Sequence, residues 1–338
     1  MTVYIGIDLH SNNSVVVAID KDGKTIYEKR LRNDLQLIKG ELSQFRKRCY
    51  GLVVESTFNW YWLVDGLMEE GYKTHLANPA ANDQYKGLKF SDDKRDARWL
   101  AKLLLLGILK EGYIYPKEER PLRDLLRKRS QLKKLRTEQI LSIQSMIARN
   151  SGISVSGNDV KKMTPEDLDR LLPDPLTVQA ANSNLYIYTC LDREMKALEK
   201  TVLALAKDRI EFGYLLTVCG IGKILGLTIL LETGDINRFE SPGNYASYAR
   251  CVGSKKLSNG KKKGAGNKKN GNKYLAWAFV EAANFAIRYN PKVNRYYQRK
   301  KAKTKGVVAV KAVAHKLARA VYHILKDEVP FDVERAFA

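Results

Sequence analysis

The chain is predicted to be an α/β N-terminal domain followed by a mainly helical remainder, and three observations carry that prediction. Residues 3 to 31 fall into apolar stretches of strand length separated by turn formers. Residues 34 to 106 alternate helical and strand patterns, and from residue 122 onward most apolar runs repeat at helical spacing.

The first three strands are expected at Val3 to Leu9, Ser14 to Asp20 and Thr25 to Leu31. Asn12-Asn13 and Asp22-Gly23 join them into an antiparallel meander. Asp34 caps a helical pattern to about Lys47, Gly51 to Glu55 is a short buried strand, and Asn59 to Glu70 returns as a helix. Lys73 to Ala77 is a further strand, stopped by Asn78-Pro79, and a helix follows from about Asp92 to Leu106. Three strands and then alternating helix and strand is the order of the ribonuclease H-like, or RuvC-like, fold, a mixed sheet with helices. This places a first domain at residues 1–115.

From Leu122 to Ile147 and again from Tyr188 to Leu205, apolar residues step by three and four amid many charges, as in coiled-coil helices. The two helices either pair with each other or hold another subunit. Between them, Ser151 to Asn184 is rich in Gly, Ser, Asp and Pro and reads as an irregular insertion within a 116–212 segment. Residues 213–338 form the third part, helical around Leu215 to Thr233, Pro242 to Val252, Tyr274 to Tyr289 and Val307 to Leu325. No acidic residue occurs from Ser241 to Val280, and the Gly- and Asn-rich stretch within it reads as a flexible, basic loop.

Composition narrows the partners. A formal charge of +22, from 59 Lys and Arg against 37 Asp and Glu, implies a polyanion, nucleic acid first. No apolar run reaches the length of a spanning helix, and the N-terminus lacks a secretory pattern, so a cytoplasmic protein without membrane attachment is expected. The four cysteines are scattered singly, without metal-ligand spacing or a disulfide framework.

Asp8 ends the first strand and Glu55 the fourth, and in this fold those strands are neighbours. Asp93 and Asp96 share a helix face and can point at the same strand ends. Four clustered carboxylates repel one another unless a divalent cation offsets the charge, and Mg²⁺, hard and oxygen-seeking, is the expected ion. Singly, each residue has a plainer reading. Asp8 opens a turn, Asp92 or Asp93 caps a helix, and Asp96 pairs with Arg95 or Arg98. The order Asp, Glu, Asp-x-x-Asp where the fold would use it favours the site.

In the third part, Val218-Cys219-Gly220-Ile221-Gly222 is either the hairpin of a helix-hairpin-helix, with Gly220 and Gly222 at a DNA phosphate, or a plain Gly-rich helix start. Lys255, Lys256, Lys261, Lys262, Lys263, Lys268, Lys269 and Lys273 are candidate phosphate contacts, and Tyr274, Trp277, Tyr296 and Tyr297 interleave with cations as bases would require. Ser258 lies in this basic segment, where a hydroxyl is usually only a turn residue; the residues alone do not select it over Ser254.

Taken together these residues resemble the DEDD-type transposases of bacterial insertion sequences, the IS110 family, relatives of the Piv DNA invertase and described as bridge-RNA-guided serine recombinases. The likeness rests on Tyr4-Ile5-Gly6-Ile7-Asp8, Val54-Glu55-Ser56-Thr57, Asn78-Pro79 and Asp93-Lys94-Arg95-Asp96-Ala97. It continues through Gly220-Ile221-Gly222, Gly234-Asp235, Arg238-Phe239, Ser258 with Gly260, Lys269-Asn270-Gly271-Asn272 and Val329-Pro330-Phe331-Asp332. The resemblance implies Mg²⁺-binding carboxylates at Asp8, Glu55, Asp93 and Asp96 and a nucleophilic serine at Ser258. It also implies a composite site shared between subunits of a dimer or tetramer, and a noncoding RNA pairing with donor and target DNA. One departure is Cys251-Val252-Gly253-Ser254, where the family pattern is Gly-x-x-Pro. The alternatives are a metal-dependent junction endonuclease that cuts by water attack, and a non-enzymatic RNA- or DNA-binding protein.

Overall fold

The computed structural model describes residues 1–79, 81–82, 92–253, 256–264 and 270–338, which divide into two compact units at Lys117 and Glu118. The first unit is built on a five-stranded mixed sheet. Strands β1 (Val3–Leu9), β2 (Asn13–Ile19) and β3 (Thr25–Arg32) form the antiparallel meander, while β4 (Cys49–Glu55) and β5 (Thr74–Ala77) run parallel to β1 on its other side, giving the order β3-β2-β1-β4-β5. The β2–β3 turn is closed by Asp20, whose Oδ1 accepts the backbone N–H of Asp22 and Lys24.

Helices α1 (Leu35–Ser43) and α2 (Tyr61–Glu69) cover one face of this sheet and α3 (Asp93–Leu105) the other. Side-chain alternation sorts the strands accordingly. Ile5, Ile7, Leu52 and Val54 pack under α1 and α2 with Ile38, Leu42, Leu63 and Leu67. Val15, Val17 and Ile19 meet Ala97 and Ala101 of α3, and Val53 meets its Leu100 and Leu104. A sheet covered on both faces explains why β1, β2 and β4 read as nearly continuous apolar runs.

The second unit opens with two 32-residue helices, α4 (Arg120–Ser151) and α7 (Pro175–Ala206). They pack antiparallel on each other, pinned by Arg129 with Glu199, Arg136 with Asp192 and Asn184 with Ser142. The heptad reading gives way near the end of α7, where Leu205 is exposed and Ala206 buried in its place. A straight helix of 3.6 residues per turn drifts off a 3.5-residue repeat by about 20° per heptad.

Residues 151–184, expected as an irregular insertion, are instead the helical tip of this hairpin. α5 (Gly157–Val160) and α6 (Pro165–Leu171) each begin with a capping box, Ser156 with Asp159 and Thr164 with Asp167, and α7 already starts at Pro175 behind its cap Asp174. Val160 and Leu168 pack with Ile143, Ile147 and Leu185. The Ser, Asp and Pro residues that read as linker are the caps of short helices.

The remainder is an all-helical body of α8 (Ile210–Leu216), α9 (Lys223–Thr233), α10 (Pro242–Tyr248), α11 (Lys273–Tyr289), α12 (Pro291–Lys301), α13 (Gly306–Asp327) and α14 (Val333–Ala336). The single pattern read from Leu215 to Thr233 is two helices, because the turn at 217–222 separates α8 from α9. α12 escaped the periodicity because only Val293 of it is buried amid lysines and arginines. Among the described residues, no helix is long and apolar enough to cross a membrane.

Candidate active site

The same alternation that buries Ile7 under α1 and α2 turns Asp8 toward α3, and on β4 it turns Glu55 to that side beyond Val54. Ile7 of β1 pairs with Val54 of β4, so the two carboxyls stand at adjacent strand ends. Gly6 lets α3 come close: a Cβ there would lie 1.9 Å from the Ala97 carbonyl oxygen and 2.8 Å from the Ala101 nitrogen. That close approach sets the first turn of α3, with Asp93 and Asp96, over the ends of β1 and β4.

Asp8 is buried, with 3% of its surface exposed. Its carboxyl is pushed up to about 7, first by burial and further by a hydrogen bond with Glu55 and by the charges of Glu55 and Asp96; His10 pulls the other way. His10 Nε2 lies 3.3 Å from Asp8 Oδ2 and 3.3 Å from Asp93 Oδ2. Asp93 also accepts from Arg30 at 2.6 Å, and that guanidinium above all holds its carboxyl below the usual range. Asp8, His10 and Asp93 each offer a ligand atom within 4.8 Å of the others. Asp8 thus stands with His10 and Asp93 on one side, and has Glu55 as a hydrogen-bond partner and Asp96 near enough to act through its charge. Of the plainer readings, the cap of α3 is Asp92, through the Arg95 N–H, and Arg98 pairs with Glu28.

His10 was not singled out in the sequence. Its signal is its position two residues beyond Asp8, which on an extended chain returns to the same face. The segment that carries it is braced, since its carbonyl accepts from Asn33 Nδ2 and Asn59 Nδ2, each at 3.0 Å, and Thr57 Oγ1 donates to Asn59. The donor set fits a divalent cation: hard carboxylate oxygens, one of them on the buried Asp8, with the His10 Nε2 lying 3.3 Å from both Asp8 and Asp93.

In the second unit, the basic segment expected to be a flexible loop is in its described part a two-stranded ladder, β6 (Lys256–Ser258) and β7 (Lys261–Gly264). Asn259 and Gly260 take φ of 48° and 71°, the left-handed pair of a two-residue hairpin turn. The Asn-Gly signal was legible, but the surrounding lysines masked it. Ser258 is exposed beside this turn, opposite Lys261.

Residues 5–149 match the model of the DEDD transposases of the IS110 type, and residues 213–298 match the Transposase IS116/IS110/IS902 family. The chain belongs to the IS110 family of transposases. It is also similar to the transposase for insertion sequence element IS1111A of Coxiella burnetii (strain RSA 493 / Nine Mile phase I), with 23% identity over 295 residues, covering 84% of this chain and 78% of that protein.

Within the second matched region of this IS110 transposase, Gly220 has a packing reason. At φ 88°, a Cβ would lie 2.2 Å from the Ala282 carbonyl of α11. Gly222 is exposed at the N-cap of α9 with open space around it. Lys261, Lys263 and Lys273 are exposed. Ser254, Lys255, Lys268 and Lys269 lie outside the described residues, as do the side chains of Lys256 and Lys262. All four cysteines are free thiols.

Proposed function

We propose that this transposase cuts and rejoins DNA strands through Ser258, with Asp8, Glu55, Asp93 and Asp96 holding Mg²⁺, at sites chosen by a noncoding RNA that pairs with donor and target DNA. The observation that supports the reading is the setting of Asp8, which is hydrogen-bonded to Glu55 of β4, feels the charge of Asp96 and lies within ligand distance of His10 and of Asp93 in the first turn of α3. When bound there, Mg²⁺ supplies Lewis-acid activation of a phosphodiester and neutralises charge on its oxygens.

The chain's own residues do the rest. Ser258 Oγ forms a bond to phosphorus as the bond to a DNA oxygen breaks. The serine proton passes to a base, and the departing DNA oxygen takes up a proton. A second DNA hydroxyl then attacks the phosphoserine, joins the new strand and frees Ser258. Lys261, opposite Ser258, and nearby Lys263 place positive charge where the phosphoryl group gains negative charge. The family likeness supports the serine, the guide RNA and a subunit-shared site in a dimer or tetramer; the charge of +22 supports a nucleic-acid load beyond one DNA end.

The deciding experiment incubates the protein with Mg²⁺, a DNA substrate and the RNA of its element, then denatures and resolves protein from DNA. A covalent adduct is expected, abolished by Ser258→Ala and by Asp8→Asn with RNA binding retained. Cut ends labelled from ¹⁸O water, with no adduct, would assign the reaction to a water-attack endonuclease. Full function in Asp8→Ala and Asp96→Ala would leave only a binding protein.

A further inference from the structure

Away from the carboxylates, the second unit contains a groove of about 920 Å³ between α4 and the first turns of α11. We propose that this groove holds an unpaired stretch of nucleic acid, its bases against Tyr274 and Trp277 and its phosphates on Lys133, Lys134 and Lys273. The volume sits at the upper end of the roughly 300–1,000 Å³ clefts that enclose organic ligands, which leaves room for more than a single base.

The groove combines two chemistries. Its aromatic floor is fixed: Trp277 packs partly against the helical core, and Tyr274 sits in the first turn of α11 behind the cap Asn272. Cations flank both rings, Lys133 Nζ at 4.9 Å from the Trp277 centroid, and Arg127 and Lys273 at 4.8 and 5.2 Å from that of Tyr274. Flat apolar faces bordered by ammonium groups suit a base joined to a phosphodiester. An acidic peptide would satisfy the lysines and make no use of the flat faces of the rings. A duplex keeps its base faces stacked inward, so the strand must be unpaired. The carboxylates on the lining, Asp124 and Glu138, are outnumbered by its cations.

The two walls are tied together below the surface. Glu232 of α9, 4% exposed, takes a bidentate pair from Arg127 of α4 at 2.6 and 2.8 Å and accepts from Asn272 Nδ2 at 2.7 Å. Arg127 is thereby held as part of the wall, and the groove is preorganised before any strand arrives.

The test uses the full-length protein in EDTA, so that strand cutting plays no part and its outcome is separate from the serine chemistry. Fluorescence anisotropy is read with labelled oligothymidylate, oligouridylate and a duplex of the same length. Tyr274→Ala should weaken both unpaired probes about tenfold or more and the duplex less than twofold, with Tyr274→Phe retaining affinity. Lys134→Ala should lower the salt slope for the unpaired strand by about one. A preference for oligouridylate would assign the groove to RNA, and equal binding to either kind of single strand. Unpaired-strand affinity unchanged in Tyr274→Ala, or duplex affinity falling equally, would overturn the proposal, as would polyglutamate displacing the oligonucleotides at equal charge.

Discussion

Asp8 is buried at the end of β1 with Glu55 as its hydrogen-bond partner, and two further carboxylates face it from α3. Its carboxyl is raised in the folded protein to about 7 from the ordinary 3.8, so the folded state binds that proton more tightly than the unfolded chain. The stabilisation is full below pH 4 and disappears as the pH rises through 7. In EDTA, the melting temperature should therefore fall between pH 5 and 8, and Asp8→Asn should flatten that part of the profile. Mg²⁺ added at pH 8 should raise the wild-type melting temperature and leave Asp8→Asn unmoved. His10 is legible only with the structure, because a lone histidine beyond a strand has many uses. With its ring nitrogen between Asp8 and Asp93, His10→Ala should weaken divalent-cation affinity by about tenfold or more, measured by calorimetry.

At the scale of elements, the close packing of α3 on β1 decides whether the acidic residues meet. A methyl group on Gly6 meets backbone, which cannot rotate away, so Gly6→Ala must push α3 outward. Such overpacking costs about 1–3 kcal/mol, read from a denaturant melt, and strand transfer should drop by well over tenfold while the chain remains folded. The serine hairpin depends likewise on its turn. Gly260→Val places a β-branched residue at φ 71°, and should lose the covalent adduct while RNA affinity changes little. The hairpin tip at 151–184 shows why local composition misled: Ser156, Thr164 and Asp174 are turn formers in isolation and helix caps once short helices have a core to pack on.

For the whole molecule, the charge of +22 spreads over both a basic hairpin and the arginines and lysines of α12. Binding by phosphate neutralisation releases counterions, so affinity for any nucleic acid should fall by about 10³ or more between 50 and 200 mM salt. Anisotropy at several salt concentrations checks this, and an affinity unchanged over that range would remove the basic surfaces from the binding account.

The chain's own pattern determined the order of strands and helices in the first unit and the two long helices of the second. Those features depend on which residues are apolar and at what period, and period is a local property. It also marked Asp8, Glu55, Asp93 and Asp96 by their places at element ends. Only the tertiary structure decided that His10 joins them, that Arg127 and Glu232 brace a groove floored by Tyr274 and Trp277, and that Gly220 is a packing glycine under α11. Each of those facts depends on residues far apart in the chain being brought within a few ångströms, and the spacing of residues along a sequence does not encode that distance.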